Sequence, residues 1–235
     1  MSRIKNNTVG IISQAISVGR KALLETEAKA ICAEYGIPVP TFELAKNEAQ
    51  ATAAAEKIGF PVVLKVVSPD IIHKSDAGGV MINLRSTLEV QNAYAQILKN
   101  AHKYNAKANI IGVLVTEMAL PSIEVIVGSV KDAQFGQTIM FGLGGIFVEL
   151  FKDVAFRIAP ITKDDANEMV TEVRSYPLLK GYRNTPPVDI DAITDILLKV
   201  SNLVMEHQEI KEIDLNPVIV YGKGAKTVDA RIILE

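Results

Sequence analysis

The sequence predicts a mixed α/β fold of α+β character, divided into two subdomains. Three observations carry that expectation. Apolar residues make up 49% of the 235 positions and charged residues 22%, a composition that buries a core without disulfide or metal staples. Apolar residues at three- and four-residue steps alternate along the chain with short β-branched runs, the signatures of amphipathic helices and of strands. A polar break at 106–109 follows the first long helical pattern and suits a domain seam, although no Pro/Gly/Ser linker marks it. The expected division is therefore an N-terminal segment at 1–20, a first subdomain at 21–107 and a second at 108–235.

The elements follow in order. Leu23, Leu24, Ala28, Ile31 and Cys32 recur at helical spacing within 19–35, and Gly36-Ile37-Pro38 ends that helix. A short strand at 41–44 leads to an Ala-rich helix over 47–58, a Gly-Phe-Pro turn and the β-branched run 62–67. A polar loop, 68–79, precedes a strand at 80–84, a helix at 87–104, and strands at 110–117, 124–129 and 138–141. The second half has a glycine-rich turn at Gly142-Leu143-Gly144-Gly145, strands at 147–150 and 154–158, and helices near 163–174 and 190–206. Strands at 210–220 and 227–234, joined by Gly222-Lys223-Gly224, close the chain as a hairpin. The sheet is expected to be mixed.

Composition excludes several functions. With 27 acidic and 25 basic residues the formal net charge is −2, aromatic residues are 6% and Trp is absent. That leaves neither a phosphate-tracking basic face nor stacking platforms, so no nucleic acid partner is expected. One cysteine, Cys32, permits no intrachain disulfide, which fits the reducing cytoplasm. The N-terminus lacks the unbroken apolar stretch and small-residue cleavage site of a signal peptide, and the longest apolar runs fall well below the roughly eighteen residues of a spanning helix. A soluble protein with no membrane partner is expected. The P-loop, GxGxxG, HExxH and GxSxG signatures are all missing.

Four places could carry chemistry. Lys65 lies within the apolar strand 62–67; its ammonium either meets an anion in a buried setting or points to the solvent face of a half-exposed strand. The loop 68–79 brings together His73, Lys74, Asp70, Asp76, Gly78 and Gly79. An imidazole there could act as a nucleophile toward phosphorus, or be an ordinary surface residue. Glu117 ends one strand and Glu124 opens the next, so the stretch between them could offer a backbone edge to a base and a carboxylate to a ribose, or be plain strand-end acidity. Glu212, Asp214 and Asn216 share one face of a strand with Asp229 on its hairpin partner. Like charges so gathered suit an oxygen-ligated Mg²⁺ that phosphates also hold. The turn 142–145 could cradle an anion through its N–H groups or be simply a tight turn.

Taken together these segments resemble the ATP-grasp fold, and in particular the beta subunit of ADP-forming acyl-CoA (acetyl-CoA) synthetases. The resemblance runs from about Leu24 to Leu234. It rests on Glu27-Ala28-Lys29 with Tyr35-Gly36-Ile37-Pro38-Val39-Pro40, on Gly59-Phe60-Pro61-Val62-Val63-Leu64-Lys65, and on His73-Lys74-Ser75-Asp76-Ala77-Gly78-Gly79-Val80. Gly142-Leu143-Gly144-Gly145 and Glu212-Ile213-Asp214-Leu215-Asn216-Pro217 complete the set. The succinyl-CoA synthetases fit less well, because their beta subunit has a Gly-rich loop without histidine where His73 stands.

The resemblance implies an ATP-grasp fold whose two subdomains bind nucleotide between them, and an acid–thiol ligase active with a CoA-binding alpha subunit in an alpha2beta2 heterotetramer. It implies that the alpha subunit turns acyl-CoA and phosphate into an acyl phosphate, and that the phosphoryl group reaches His73 and then Mg·ADP to give ATP. Carried over residue by residue, Asp214 orients the imidazole, Asn216 and Asp229 hold Mg²⁺, and Lys65 contacts the nucleotide phosphates. Glu117 and the Ala119 backbone meet adenine, Glu124 the ribose, and Gly78 and Gly79 form the phosphate loop. The alpha subunit's CoA-binding fold has no counterpart in these 235 residues, so the chain is expected to be half of an enzyme. Two other functions share much of the site: a stand-alone ATP-grasp carboxylate ligase, which needs no His73, and a non-catalytic nucleotide-binding regulatory module.

Overall fold

The structure, a computed structural model, describes residues 6–71, 73–145, 152–183 and 186–235. In chain order the elements are α1 Asn6–Ser17, α2 Glu25–Glu34, β1 Phe42–Ala45, α3 Glu48–Ile58, β2 Val62–Val67, β3 Val80–Leu84, α4 Thr87–Tyr104 and β4 Gly112–Glu117. Then come β5 Ile123–Asp132, β6 Gly136–Leu143, β7 Val154–Ile158, α5 Lys163–Glu172, α6 Tyr176–Leu179, α7 Ile190–Glu206, β8 Ile210–Val220, β9 Ala225–Thr227 and β10 Ala230–Leu234. The strand expected at 147–150 lies outside the described residues.

Two compact units result. The smaller comprises Leu24–Thr26 and Pro40–Leu120. Its four-stranded sheet runs β1-β4-β2-β3, with α3 and α4 packed on one face. Asn47 and Ser86 cap those helices by accepting hydrogen bonds from the Gln50 and Glu89 N–H groups. Alanines 51, 54 and 55 of α3 and Val90, Ala93 and Ile97 of α4 meet Val62, Leu64, Val66, Val113 and Val115 in one core.

The larger unit comprises Met1–Leu23, Glu27–Val39 and Pro121–Glu235. Its sheet runs β10-β8-β5-β6-β7, with β9 also on β8. One face carries Val125, Val127, Ile139, Phe141, Ile213 and Leu215, buried with apolar residues of α1, α2, α5 and α7. The pleat sends the intervening side chains to the face away from those helices. Cys32 is wholly buried in this core. Burial pushes its thiol up to about 12 and outweighs the nearby Lys29 ammonium, so the thiol stays protonated and unreactive.

Several sequence expectations change. Every pairing among the described strands is antiparallel rather than mixed. The first expected helix starts at Glu25, not at 19, because the chain before it pairs with β10: Leu23 N–H donates to Ile232 O at 3.0 Å and Ala22 bridges Ile233. Residues 6–17 form a helix that was not expected. The last strand is split at Val228–Asp229 into β9 and β10. The seam falls at Leu120–Pro121 instead of 106–109, since β4 lies between β1 and β2 in the smaller unit's sheet. Among the described residues no helix is long and apolar enough to cross a membrane.

The sheet of the smaller unit gives a direct stability test. A Cβ on Gly112 would stand 2.5 Å from the Ala45 carbonyl oxygen, which is backbone of the neighbouring strand β1. Gly112→Ala is expected to lower the unfolding free energy by about 1–3 kcal/mol through this overpacking, read as a lower urea midpoint; an unchanged midpoint contradicts the packing.

Candidate functional site

In the smaller unit, the pleat of β2 separates two sets of side chains. Val62, Leu64 and Val66 enter the helix-covered core, so Val63, Lys65 and Val67 point to the opposite face. That face is covered as well, and Lys65 is only 5% exposed. The reading in which Lys65 points into solvent is thereby overturned. A buried ammonium requires an anion, and Glu25 supplies it: Oε1 lies 2.8 Å from Lys65 Nζ. The other oxygen of the same carboxylate, Oε2, lies 2.9 Å from Lys74 Nζ. Two ammonium groups thus share one carboxylate.

Lys74 belongs to the loop between β2 and β3. The loop hangs from two buried apolar residues, Ile71 and Ala77. It is closed by Ala77 N–H to His73 O at 3.2 Å, Gly78 N–H to Ser75 O at 3.0 Å and Gly79 N–H to Lys74 O at 2.7 Å. His73 stands exposed on this turn. Gly78 takes a φ of 59°, where a side chain is strained, and its carbonyl accepts from Asn100 Nδ2 at 2.8 Å. Gly79 lies so close to β2 that a Cβ would meet Val66 Cγ1 at 2.5 Å. Both glycines therefore have a backbone reason to be there. In this conformation their N–H groups are directed at loop carbonyls rather than outward at an anion.

Glu117 ends β4, where its Oε2 accepts from Thr41 N–H at 3.3 Å. Ala119 is half-buried in the irregular stretch that follows, just before the chain leaves the smaller unit. In the larger unit Glu124 is exposed on β5, and its carbonyl accepts from Gly144 N–H at 2.8 Å. Gly142 and Leu143 belong to β6. The Gly144 N–H is therefore spent on the sheet and not directed at an anion in this conformation.

The acidic set lies where alternation placed it. Ile213 and Leu215 are in the core, so Glu212, Asp214 and Asn216 face the other way. Arg231 on β10 is directly opposite Asp214. The register is in phase on both sides of the β9–β10 break, which puts Asp229 across from Asn216. Burial pushes the Asp214 carboxyl up; Arg231 opposes this, while Glu212 and Asp229 add to it. Asp214, Asn216 and Glu212 edge a pocket of about 330 Å³ whose apolar lining includes Ile126, Met140 and Phe156.

Among the described residues no group of three or more His, Cys, Asp and Glu side chains could hold a metal ion. Asn216 and Asp229 nevertheless offer two neighbouring oxygen donors. That donor set fits Mg²⁺, a hard cation that takes few protein ligands and completes its shell with phosphate oxygens and water. Sequence reasoning missed Glu25 and Arg231. Glu25 opens a helix, where an acid is ordinary for dipole reasons, so no pattern sets it apart; Arg231 is visible only once the hairpin register is known.

Residues 14–234 match the family model of an ATP-grasp domain. The chain is 52% identical over 235 residues to the beta subunit of ADP-forming acetate–CoA ligase II of Pyrococcus furiosus, covering 99% of this chain and 100% of that one. It is also 52% identical over 224 residues to the beta subunit of ligase I of the same organism, covering 95% and 96%. Among solved structures it is similar to dinucleotide forming acetyl-coenzyme A synthetase 1 of Ca. Korarchaeum cryptofilum in complex with coenzyme A and Ca-AMPCP. There the TM-score is 0.95 and the identity 53%, over 97% of this chain and 100% of that one. That protein is also known with a phosphorylated phosphohistidine segment in a site I orientation, TM-score 0.91 and 51% identity over 97% and 100% of the chains. In a complex with Mg-AMPPCP its phosphohistidine segment points towards the nucleotide binding site, with TM-score 0.87 and 50% identity over the same shares.

The charge arrangement around Asp214 yields a titration test. Carboxyl-carbon NMR is expected to place its midpoint above the ordinary carboxylate value near 4, with Arg231→Met moving it further up and Asp229→Asn moving it down. The sign for stability follows: a folded-state pKa raised above the unfolded one adds stability at low pH that is lost as pH rises through the folded value. A midpoint at or below the ordinary value contradicts the burial of this carboxyl.

Proposed function

This chain belongs to the ATP-grasp family, among the beta subunits of ADP-forming acetate–CoA ligases, and on that premise we propose that it carries a phosphoryl group on His73 and delivers it to Mg·ADP. The observation that carries the reading is the position of His73. It is exposed on a turn whose next residue, Lys74, shares a carboxylate with the buried Lys65. A nucleophilic imidazole thus sits on a turn that is tied through its next residue to a buried lysine–carboxylate pair. Support also comes from the relative whose phosphohistidine segment is known both phosphorylated in one orientation and pointing towards a nucleotide binding site in another.

The sequence of steps balances simply. In the alpha subunit, phosphate attacks the acyl-CoA carbonyl, and CoA leaves to give an acyl phosphate. The phosphoryl group passes to a histidine there as the carboxylic acid departs. An imidazole nitrogen of His73 then takes it by in-line attack, forming one N–P bond as the other breaks. Finally a terminal oxygen of ADP attacks the same phosphorus, the N–P bond to His73 breaks, and ATP and the free imidazole result. All steps are reversible.

Phosphoryl transfer of this kind depends on placement and charge neutralisation more than on covalent assistance. Lys65 is assigned to the nucleotide phosphates, with Glu25 keeping its ammonium fixed on β2. Gly78 and Gly79 are assigned to a phosphate loop, which requires their N–H groups to leave the turn carbonyls they now bind. Glu117 and the backbone of Ala119 are assigned to adenine, and Glu124 to the ribose. Asp214, held opposite Arg231, is assigned to orient the His73 imidazole where the segment meets the alpha subunit, in an alpha2beta2 assembly. Asn216 and Asp229 would hold Mg²⁺, which supplies charge neutralisation at the phosphate oxygens.

The reading is tested on the chain assembled with its alpha partner and supplied with acetyl-CoA and radiolabelled phosphate. An acid-labile, base-stable label on this chain is expected, and His73→Asn is expected to reduce both that label and ATP formation to background. Label that persists in the His73→Asn chain overturns the assignment.

A further inference from the structure

Both oxygens of the Glu25 carboxylate are engaged by lysines, one from β2 and one from the turn that carries His73. The two ion pairs differ in their surroundings. The Glu25 side chain is 2% exposed and Lys65 6%, whereas Lys74 is 20% exposed. Breaking the Glu25–Lys65 pair would leave uncompensated charge buried, which is strongly unfavourable. Lys74 can exchange its carboxylate for water at far smaller cost. One of the two bonds is therefore permanent and the other releasable.

The releasable bond is attached to the segment that has to move. Lys74 follows His73 in sequence, and its carbonyl accepts the Gly79 N–H at 2.7 Å, so its side chain and main chain both fasten the turn. Glu25 and Lys65 are set in α2 and β2, on the frame and not on the turn. When Lys74 is on Glu25, the turn that bears His73 is tied to the same carboxylate that holds the lysine assigned to the nucleotide phosphates.

We propose that Glu25 is a positioning residue that latches the His73 segment through Lys74 in its nucleotide-facing orientation, and that the segment leaves that orientation by breaking the Lys74 bond while Glu25 stays on Lys65. This role presupposes that His73 carries the phosphoryl group. Lys74 is then needed to seat the segment for transfer to ADP and not for accepting the phosphoryl group in the first place. Loss of the latch should slow presentation to ADP without weakening ADP binding, because Lys65 keeps its partner.

The test uses the chain assembled with its alpha subunit, phosphorylated from acetyl-CoA and radiolabelled phosphate, then chased with Mg·ADP in a rapid-quench instrument. Lys74→Gln is expected to label to the wild-type extent, to transfer to ADP about tenfold more slowly, which corresponds to the loss of one modest ion pair, and to keep the KM for ADP. Lys74→Arg is expected to restore most of the rate. Adding Lys74→Gln to Glu25→Gln is expected to slow transfer no further, as groups acting through one contact are not additive. Normal labelling with an unchanged chase in Lys74→Gln overturns the latch alone, as does a rate that Lys74→Arg leaves uncorrected or effects that multiply in the double variant. Absence of label on wild-type His73 overturns the phosphohistidine reading and the latch with it.

Discussion

A lysine in the middle of a buried strand is the constraint around which the smaller unit is arranged. β2 is buried on both faces, with the α3 and α4 core on one and Lys65 on the other. The ammonium cannot be left without a counter-charge in that setting. Glu25, from a segment that joins the smaller unit only over Leu24–Thr26, provides it. The same carboxylate reaches Lys74. Neutralising one buried charge thus ties together a strand, a helix start and the loop that carries His73, three pieces separated along the chain.

The larger unit meets a different electrostatic demand. Its sheet is buried by helices on one face and carries acids on the other, where Asp214 is crowded by Glu212 and Asp229 and relieved by Arg231. Such crowding costs stability at neutral pH unless a cation answers it. Arg231 answers Asp214 directly across the strands. Asn216 and Asp229, opposite one another a step along the same pair of strands, are the residues proposed to hold a phosphate-bound divalent cation. A carboxylate balanced by an arginine and a proposed pair of cation ligands are distinct roles drawn from one alternating pattern.

Much of this was legible from the residues alone. The bounds of β2, β3, α4, α7 and β8 follow from periodicity and punctuation, and the family resemblance rests on motifs spaced along nearly the whole chain. The common face of Glu212, Asp214 and Asn216 follows from strand alternation, since Ile213 and Leu215 had to be inside. What was not legible depended on distant pairing. Residues 20–24 read as helix but are drawn out by β10. The seam was misplaced because β4, late in sequence, belongs between two early strands. Glu25 looked like a routine first-turn acid, and only the fold brings it to Lys65, 40 residues away.

The central claim is that one carboxylate holds the phosphate-binding lysine permanently and the histidine-bearing segment reversibly. The most direct measurement is a crystal structure of the chain assembled with its alpha subunit, with the phosphorylated segment turned away from the nucleotide. The account predicts that Glu25 remains within about 3 Å of the Lys65 ammonium, the ordinary span of a charge-assisted hydrogen bond, while Lys74 has moved off with His73. Lys74 still bound to Glu25 in that orientation, or Lys65 released together with it, would contradict the account.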